Sequence, residues 1–314
     1  MDGNLDGTKG SRSLDEAIAA FRQGDFSQTR LSRLSDLSRE EAKAVREAWL
    51  SIPEETRAEL IRRCDTLSEE RIDVNFRRAL RIALEDPSPV VRQLAIAALW
   101  EDESRDLFDR LDVLLREDPS PDVRAEAARG LERYSTQAVS GEMDHEASAH
   151  LRETLLGAAN GVASPYQVQR RALESLGPFG GEPAVASIIA DAYASGDHGL
   201  QCSAIYAMGR SLQLRWLPMI LAELESDEAE LRFEAARAAG AVGAADALPL
   251  LLEVAHDDDA EVRHAAINAI GQIGGRGAVR ALERLREDAG DADLELIEAT
   301  IEDVNALLEP FESA

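Results

Sequence analysis

Five histidines and two cysteines in 314 residues bound the metal and nucleophile chemistry open to this chain. His145-Glu146 sets an imidazole beside a carboxylate, one beginning of a divalent-metal ligand set, but the pair occurs once. One such pair cannot build a metal centre. His256 and His264 flank Asp257-Asp258-Asp259, whose oxygens could hold a cation. Acidic residues are also the ordinary choice at helix starts, and the segment is assigned that structural role. Cys64 and Cys202 lie far apart in helical segments, so a disulfide framework is excluded and a reducing compartment is expected. No nucleophile motif, phosphate-cradling glycine loop or Cys-His cluster of zinc spacing occurs. With no catalytic, cofactor-binding or metal residue assigned, an enzyme is disfavoured.

The residues that do recur are architectural. Asp118-Pro119-Ser120-Pro121-Asp122-Val123-Arg124 has counterparts in Asp86 to Val91-Arg92, Asp227 to Leu231-Arg232 and Asp257 to Val262-Arg263. The apolar members Val91, Val123, Val168, Leu200, Leu231 and Val262 are separated by steps of 32, 45, 32, 31 and 31 residues. A period near thirty marks a solenoid. An i, i+4, i+7, i+8 apolar stripe such as Leu107, Leu111, Leu114, Leu115 precedes the phrase, and a stripe with small residues, such as Val123, Ala127, Gly130, Leu131 or Val262, Ala266, Ala269, Ile270, follows it. Each unit is therefore a helical hairpin whose second helices can approach closely. The hairpins are predicted at 74–84/89–100, 104–116/121–134, 147–159/165–177, 183–195/199–210, 215–225/229–241, 246–256/260–271 and 277–288/292–308. Ser88-Pro89, Ser120-Pro121 and Ser164-Pro165 predict a hydroxyl N-cap ahead of a proline at the first helical position. Asp86, Asp118, Asp227 and Asp257 fall in the turns, within reach of Arg92, Arg124, Arg232 and Arg263 from the same or the next unit, and are expected to form a structural ladder. Units three and four break the Arg column with Gln169 and Gln201.

The Asp, Val-Arg and Ala spacing, the Leu-Gly or Ile-Gly endings (Leu176-Gly177, Met208-Gly209, Ile270-Gly271) and the repeat length resemble short HEAT repeats, of the kind found in phycobilin lyases. The resemblance runs over about residues 73 to 308 and implies an all-α fold: a right-handed α-solenoid of about seven HEAT-like helical hairpins with an N-terminal helical cap. It does not specify function, since such repeats serve scaffolds, adaptors, regulators and a few enzymes. His145-Glu146 resembles one copy of the pair that HEAT-repeat di-iron hydroxylases use several times over.

Composition agrees. Aromatic residues are 4% of the chain, which suits stacked helices without a large globular core. Residues 1–84 carry a net charge of −1, so 85–314 hold −25 of the total −26. An acidic solenoid is a poor tracker of phosphate backbones, and a nucleic-acid partner is not expected. No stretch has the length of a membrane span or the apolar core of a signal peptide, so the expected location is cytoplasmic.

Three segments are expected: a flexible N-terminus at 1–12, a helical cap module at 13–72 and the HEAT-repeat solenoid with an acidic C-terminal cap at 73–314. In the cap module, helices are predicted from Leu14 to Phe21, from the Ser38/Glu41 capping box through Trp49, and from Pro53 to about Leu67. The module either covers the first repeat or, through Trp49, docks elsewhere. The 45-residue step places about 13 additional residues, mostly at 135–149, in a surface loop or a lengthened helix. From Leu294, Asp291, Asp293, Glu295, Glu298, Glu302, Asp303, Glu309 and Glu312 surround an apolar stripe, the acidic C-terminal cap.

If second helices line the concave surface, the non-core positions three, six and ten after the apolar anchor form a strip of Glu126, Arg129, Arg133, Arg171, Glu174, Ser203, Tyr206, Arg210, Glu234, Arg237, Asn268 and Gln272. Mixed charge with Arg and Tyr suits a protein or peptide partner. The expected function is a non-catalytic interaction scaffold or adaptor. The alternative implied by the resemblance is a chromophore or small-ligand lyase or chaperone, for which Tyr206, Trp216 and Phe233 are the candidate pigment-facing aromatics.

Overall fold

The structure, a computed structural model, describes residues 14–161 and 163–312. The segment 1–12, expected to be flexible, lies outside the described residues. Those described form helices and no strand. Two compact units, residues 1–131 and 132–314, divide the chain within one helix.

The first unit opens with α1 (residues 14–21), the one-turn α2 (Gln28–Leu31), α3 (Arg39–Trp49) and α4 (Glu54–Glu70). The capping box forms as spaced: Ser38 Oγ accepts from Glu41 N, and Glu41 accepts from Ser38 N. Two hairpins follow, α5 (Arg77–Ala83) with α6 (Pro89–Ala98) and α7 (Arg105–Glu117) with α8 (Pro121–Ser140). α3 packs on α5 and α4 on α6, so the cap covers the first repeat. Trp49 offers no separate docking surface: it is buried, and its indole Nε1 donates to Asp86 Oδ2 at 2.6 Å.

The second unit stacks α9 (His145–Asn160) with α10 (Tyr166–Leu176), α11 (Pro183–Ala194) with α12 (His198–Arg210), α13 (Leu217–Glu223) with α14 (Ala229–Val242), α15 (Leu248–Val254) with α16 (Ala260–Ile273) and α17 (Gly275–Asp288) with α18 (Asp291–Glu312). All seven predicted hairpins form. α13 and α15 begin later than the stripes suggested, because a 3₁₀ turn at Leu214–Trp216 and at Ala245–Ala247 precedes each. Pro218 and Pro249 then occupy the first helical turn, where a missing N–H costs nothing. The additional residues after Arg133 are mostly helix: α8 runs on to Ser140 and stops at Gly141, whose φ of +82° suits a residue without Cβ.

Second helices touch through a column of glycines. A Cβ on Gly209 would stand 2.7 Å from Ala238 Cα, and one on Gly240 2.7 Å from Ala269 Cα; Gly177 faces Arg210 Cβ and the Ala207 backbone, and Gly271 faces the Thr300 methyl group. The spacing of 32, 31 and 31 residues is the repeat itself. Backbone against backbone leaves no room for a methyl group, so Gly240→Ala should cost about 1–3 kcal/mol in urea unfolding. Gly157 sits in helix α9 with nothing within 4 Å of its would-be Cβ. Gly157→Ala should therefore stabilise by about 0.5–1 kcal/mol, the helix-propensity gain alone.

Candidate functional site

The turn aspartates and column arginines build a repeated device. Arg92 Nη1 donates to the carbonyls of Asp86 and Pro87 in its own turn at 2.7 and 3.0 Å, while Nε and Nη2 fork onto Asp118 of the next turn at 2.8 and 2.7 Å. Arg232 repeats this with the carbonyls of Ser226 and Asp227 and the carboxylate of Asp257 at 2.6 and 2.9 Å. Arg263 does so with the carbonyls of Asp257 and Asp258 and with Asp293 at 2.9 Å. Each rung thus joins consecutive hairpins. Asp293, read as a cap charge, is a rung acceptor; the side chains of Asp291, Glu309 and Glu312 lie outside the described residues.

The cap extends the device. Arg57 donates to Ile52 O and forks onto Asp86 at 2.6 and 3.0 Å, although no Val-Arg phrase marks it. The signal was present in the spacing, since Arg57 follows the helix-opening Pro53 by one turn and precedes Arg92 by about one repeat. The same aspartates also fold their turns: Ser88 N donates to Asp86 Oδ1, Ser120 N to Asp118 Oδ1 and Asp259 N to Asp257 Oδ1. Pro89 and Pro121 open their helices as expected, but the hydroxyl caps expected at Ser88 and Ser164 do not form. Ser88 Oγ makes no cap bond and donates to Glu54 Oε1, and Pro165, not Ser164, precedes α10. A carboxylate two residues ahead holds the turn, leaving the serine hydroxyl for another helix.

The ladder has gaps. Arg124 Nε donates to Leu115 O, and the next turn, residues 161–165, holds no Asp. Gln169 keeps half of the device, donating to Gly161 O and Ser164 O, and has no charge to grip the next turn. There Tyr166 Oη donates to Asp197 at 2.5 Å instead. Asp227 has Gln201 ahead of it in the column; at this end α12 and α14 are bridged instead by His198 Nε2 and Glu230 Oε2 at 2.8 Å.

The strip residues form local ion pairs with a common build. Glu126 with Arg129, Arg171 with Glu174 and Glu234 with Arg237 each place a largely buried carboxylate beneath a half-exposed guanidinium. Burial pushes the Glu234 carboxyl above its ordinary value, against the pull of Arg237. Arg237 lies between two rings, 5.4 Å from the Tyr206 centroid and 5.5 Å from that of Phe233. Tyr206 and Arg210 are engaged within the unit: Tyr206 Oη donates to Glu132 at 2.7 Å, and Arg210 reaches Glu132 and Thr136 on the lengthened end of α8. Arg133 lies over the ring of Tyr134. Asn268 and Gln272 are exposed and line an open groove of about 590 Å³ between α14, α16 and α18, with Phe233, Arg237, His264, Asp303 and Leu307. Sequence reasoning missed this groove because α18 supplies one wall.

The suggested cation group is not assembled. Asp257 is held by Arg232, while His264 turns to Asp293 at 2.8 Å and His256 to Leu252 O. His145 opens the exposed first turn of α9. A different set does converge: His198, Cys202 and Glu230 bring one ligand atom each within 4.8 Å of one another. Burial raises the Cys202 thiol to about 11.

Stacked two-helix units joined by a turn-to-turn ladder define an α-solenoid. The sequence pattern of HEAT repeats matches residues 77–163 and 217–301, more than half of the chain, and the protein belongs to the HEAT-repeat family. No curated protein matches the chain. Among solved structures, the complex of CpcE and CpcF of phycocyanin lyase from Nostoc sp. is 21% identical with a TM-score of 0.54, covering 86% of this chain and 95% of that one. YibA of Escherichia coli is 17% identical with a TM-score of 0.44 over 76% of this chain and 96% of its own. Human deoxyhypusine hydroxylase is 15% identical with a TM-score of 0.36, covering 97% of this chain and all of its own. At these identities the likeness is one of fold. No described helix is long and apolar enough to cross a membrane.

Two outcomes follow from the ladder. The side chains of Arg92 and Asp118 are only 10% and 4% exposed, so Asp118→Ala strands a buried guanidinium and should cost about 3–5 kcal/mol in chemical unfolding, against under about 1 kcal/mol for Arg63→Ala at an exposed helix pair. Arg232 holds the Asp257 carboxyl below its ordinary value of 3.8. The stability this confers is complete above that value and is lost as pH falls through the lower, folded one. Acid melts of Asp257→Asn should therefore show a shallower loss of stability below about pH 4 than the parent chain.

Proposed function

We propose that the protein is a non-catalytic interaction scaffold whose second-helix face in residues 132–314 seats a partner protein segment, with the groove between α14, α16 and α18 as its principal contact. The observation that carries this is the groove itself. Its walls combine apolar Phe233, Val304 and Leu307 with Arg237, Glu261 and Asp303, and Leu307 stands 71% exposed at its edge. An apolar centre with charges of both signs at its margin suits a peptide of mixed charge carrying a large apolar anchor. Asn268 and Gln272 offer donors and acceptors to a partner backbone. The Nostoc neighbour is a complex of two proteins, the kind of arrangement proposed here.

A pigment-lyase reading draws less support from the same geometry. Of the three aromatics considered for it, Phe233 lines the groove, Trp216 is buried and Tyr206 is tied to Glu132.

The test is affinity capture from the host with the parent chain and with Arg237→Glu, Asn268→Glu and Leu307→Asp, their folding checked by circular dichroism. A stoichiometric protein partner should bind the parent and lose at least about thirtyfold in affinity to two of the three variants. A small coloured ligand without a protein, or a partner indifferent to all three changes, contradicts the proposal.

A further inference from the structure

The column of rungs is interrupted between α12 and α14, where Gln201 stands in the arginine position. Metal-capable side chains gather in that gap. His198 and Cys202 lie four residues apart on α12 and so share one helix face, with Cys202 Sγ 3.8 Å from His198 Nε2. Glu230, in the first turn of α14, places Oε2 2.8 Å from the same Nε2. We propose that His198, Cys202 and Glu230 form a site for a divalent ion of zinc type, which clips α12 to α14 where the ladder lacks its arginine.

The donor set selects the ion. Thiolate and imidazole favour a borderline-soft metal over calcium or magnesium, and three protein ligands leave one position for water or a partner's side chain. At bond lengths of about 2.0–2.3 Å a tetrahedral ion separates its ligand atoms by roughly 3.3–3.7 Å. Here all three fall within 4.8 Å before any adjustment, and the side chains of His198 and Glu230 are 44% and 63% exposed. Binding displaces the hydrogen bond between imidazole and carboxylate and releases the thiol proton to solvent. The thiolate and carboxylate then balance the two charges of the ion.

The surroundings are built as well. Asp197, the N-cap of α12, accepts from Leu200 N and from Tyr166 Oη, which fixes the helix turn that carries His198. Gly199 provides the space for this: a Cβ there would collide with Tyr166 Oη and stand 3.2 Å from the Arg170 guanidinium. Arg170 Nε donates to Ser203 Oγ at 3.0 Å, and its charge lies close enough to Cys202 to favour the thiolate. The sequence signal is a His-x-x-x-Cys on one helix, with the third ligand, Glu230, one repeat further on.

The test uses cobalt(II) as a spectroscopic stand-in, added to the metal-stripped full chain with Cys64 replaced by Ala so that Cys202 is the single thiol. A near-ultraviolet sulfur-to-cobalt charge-transfer band should appear, and zinc should displace it. Cys202→Ser should abolish the band, and His198→Gln and Glu230→Gln should each weaken zinc binding at least about tenfold. Glu230 is exposed, so its variant is expected to fold whatever becomes of the others. No band in the Cys64→Ala chain, a band that survives Cys202→Ser, or zinc affinity unchanged in both His198→Gln and Glu230→Gln overturns the site.

Discussion

A guanidinium that satisfies the carbonyls of its own turn while gripping the carboxylate of the next turn is the constraint on which this stack depends. A helical hairpin of some thirty residues cannot bury its apolar face alone, and its turn leaves helix-end carbonyls without partners. Arg92, Arg232 and Arg263 answer both needs with one side chain, because the planar fork has donors to spare after the carbonyl bonds are made. The aspartate is as economical: Asp86 accepts from Arg57, Trp49 and Ser88 N at once, so the cap, the turn and the first repeat meet on one carboxylate. Removing one partner of the most buried rung, Arg92 with Asp118, would leave the other charged and unpaired.

The ladder fixes hairpins at the turn end, and the glycine column fixes them along the second helices. Gly209 and Gly240 let the backbones of neighbouring second helices touch. The second helices also carry the repeated Arg-over-Glu pairs, and α14, α16 and α18 frame the groove.

Most of the architecture was legible in the sequence because the repeat restates it. The helix pairs, the small-residue faces and the Ser38/Glu41 capping box are local patterns, and local patterns survive folding. What escaped was long-range or idiosyncratic. Arg57 lacked the flanking valine, and Ser88 had two candidate uses, of which a bond to Glu54 won once the aspartate had taken the turn. Tyr206 and Arg210 lay at outward positions, yet the lengthened α8 meets them from 74 residues away, which no periodicity could disclose. The convergence of His198, Cys202 and Glu230 was hidden for the same reason, being split between two repeats.

If nearest-neighbour rungs hold the stack together, damage to one rung must stay local. Native-state hydrogen exchange of Arg232→Met measures this most directly. Amide protection should fall in α14 and α16, on either side of the lost bond to Asp257, while α10 and α17 keep theirs. An even loss of protection through α9 to α18, or none in α14 and α16, would contradict it.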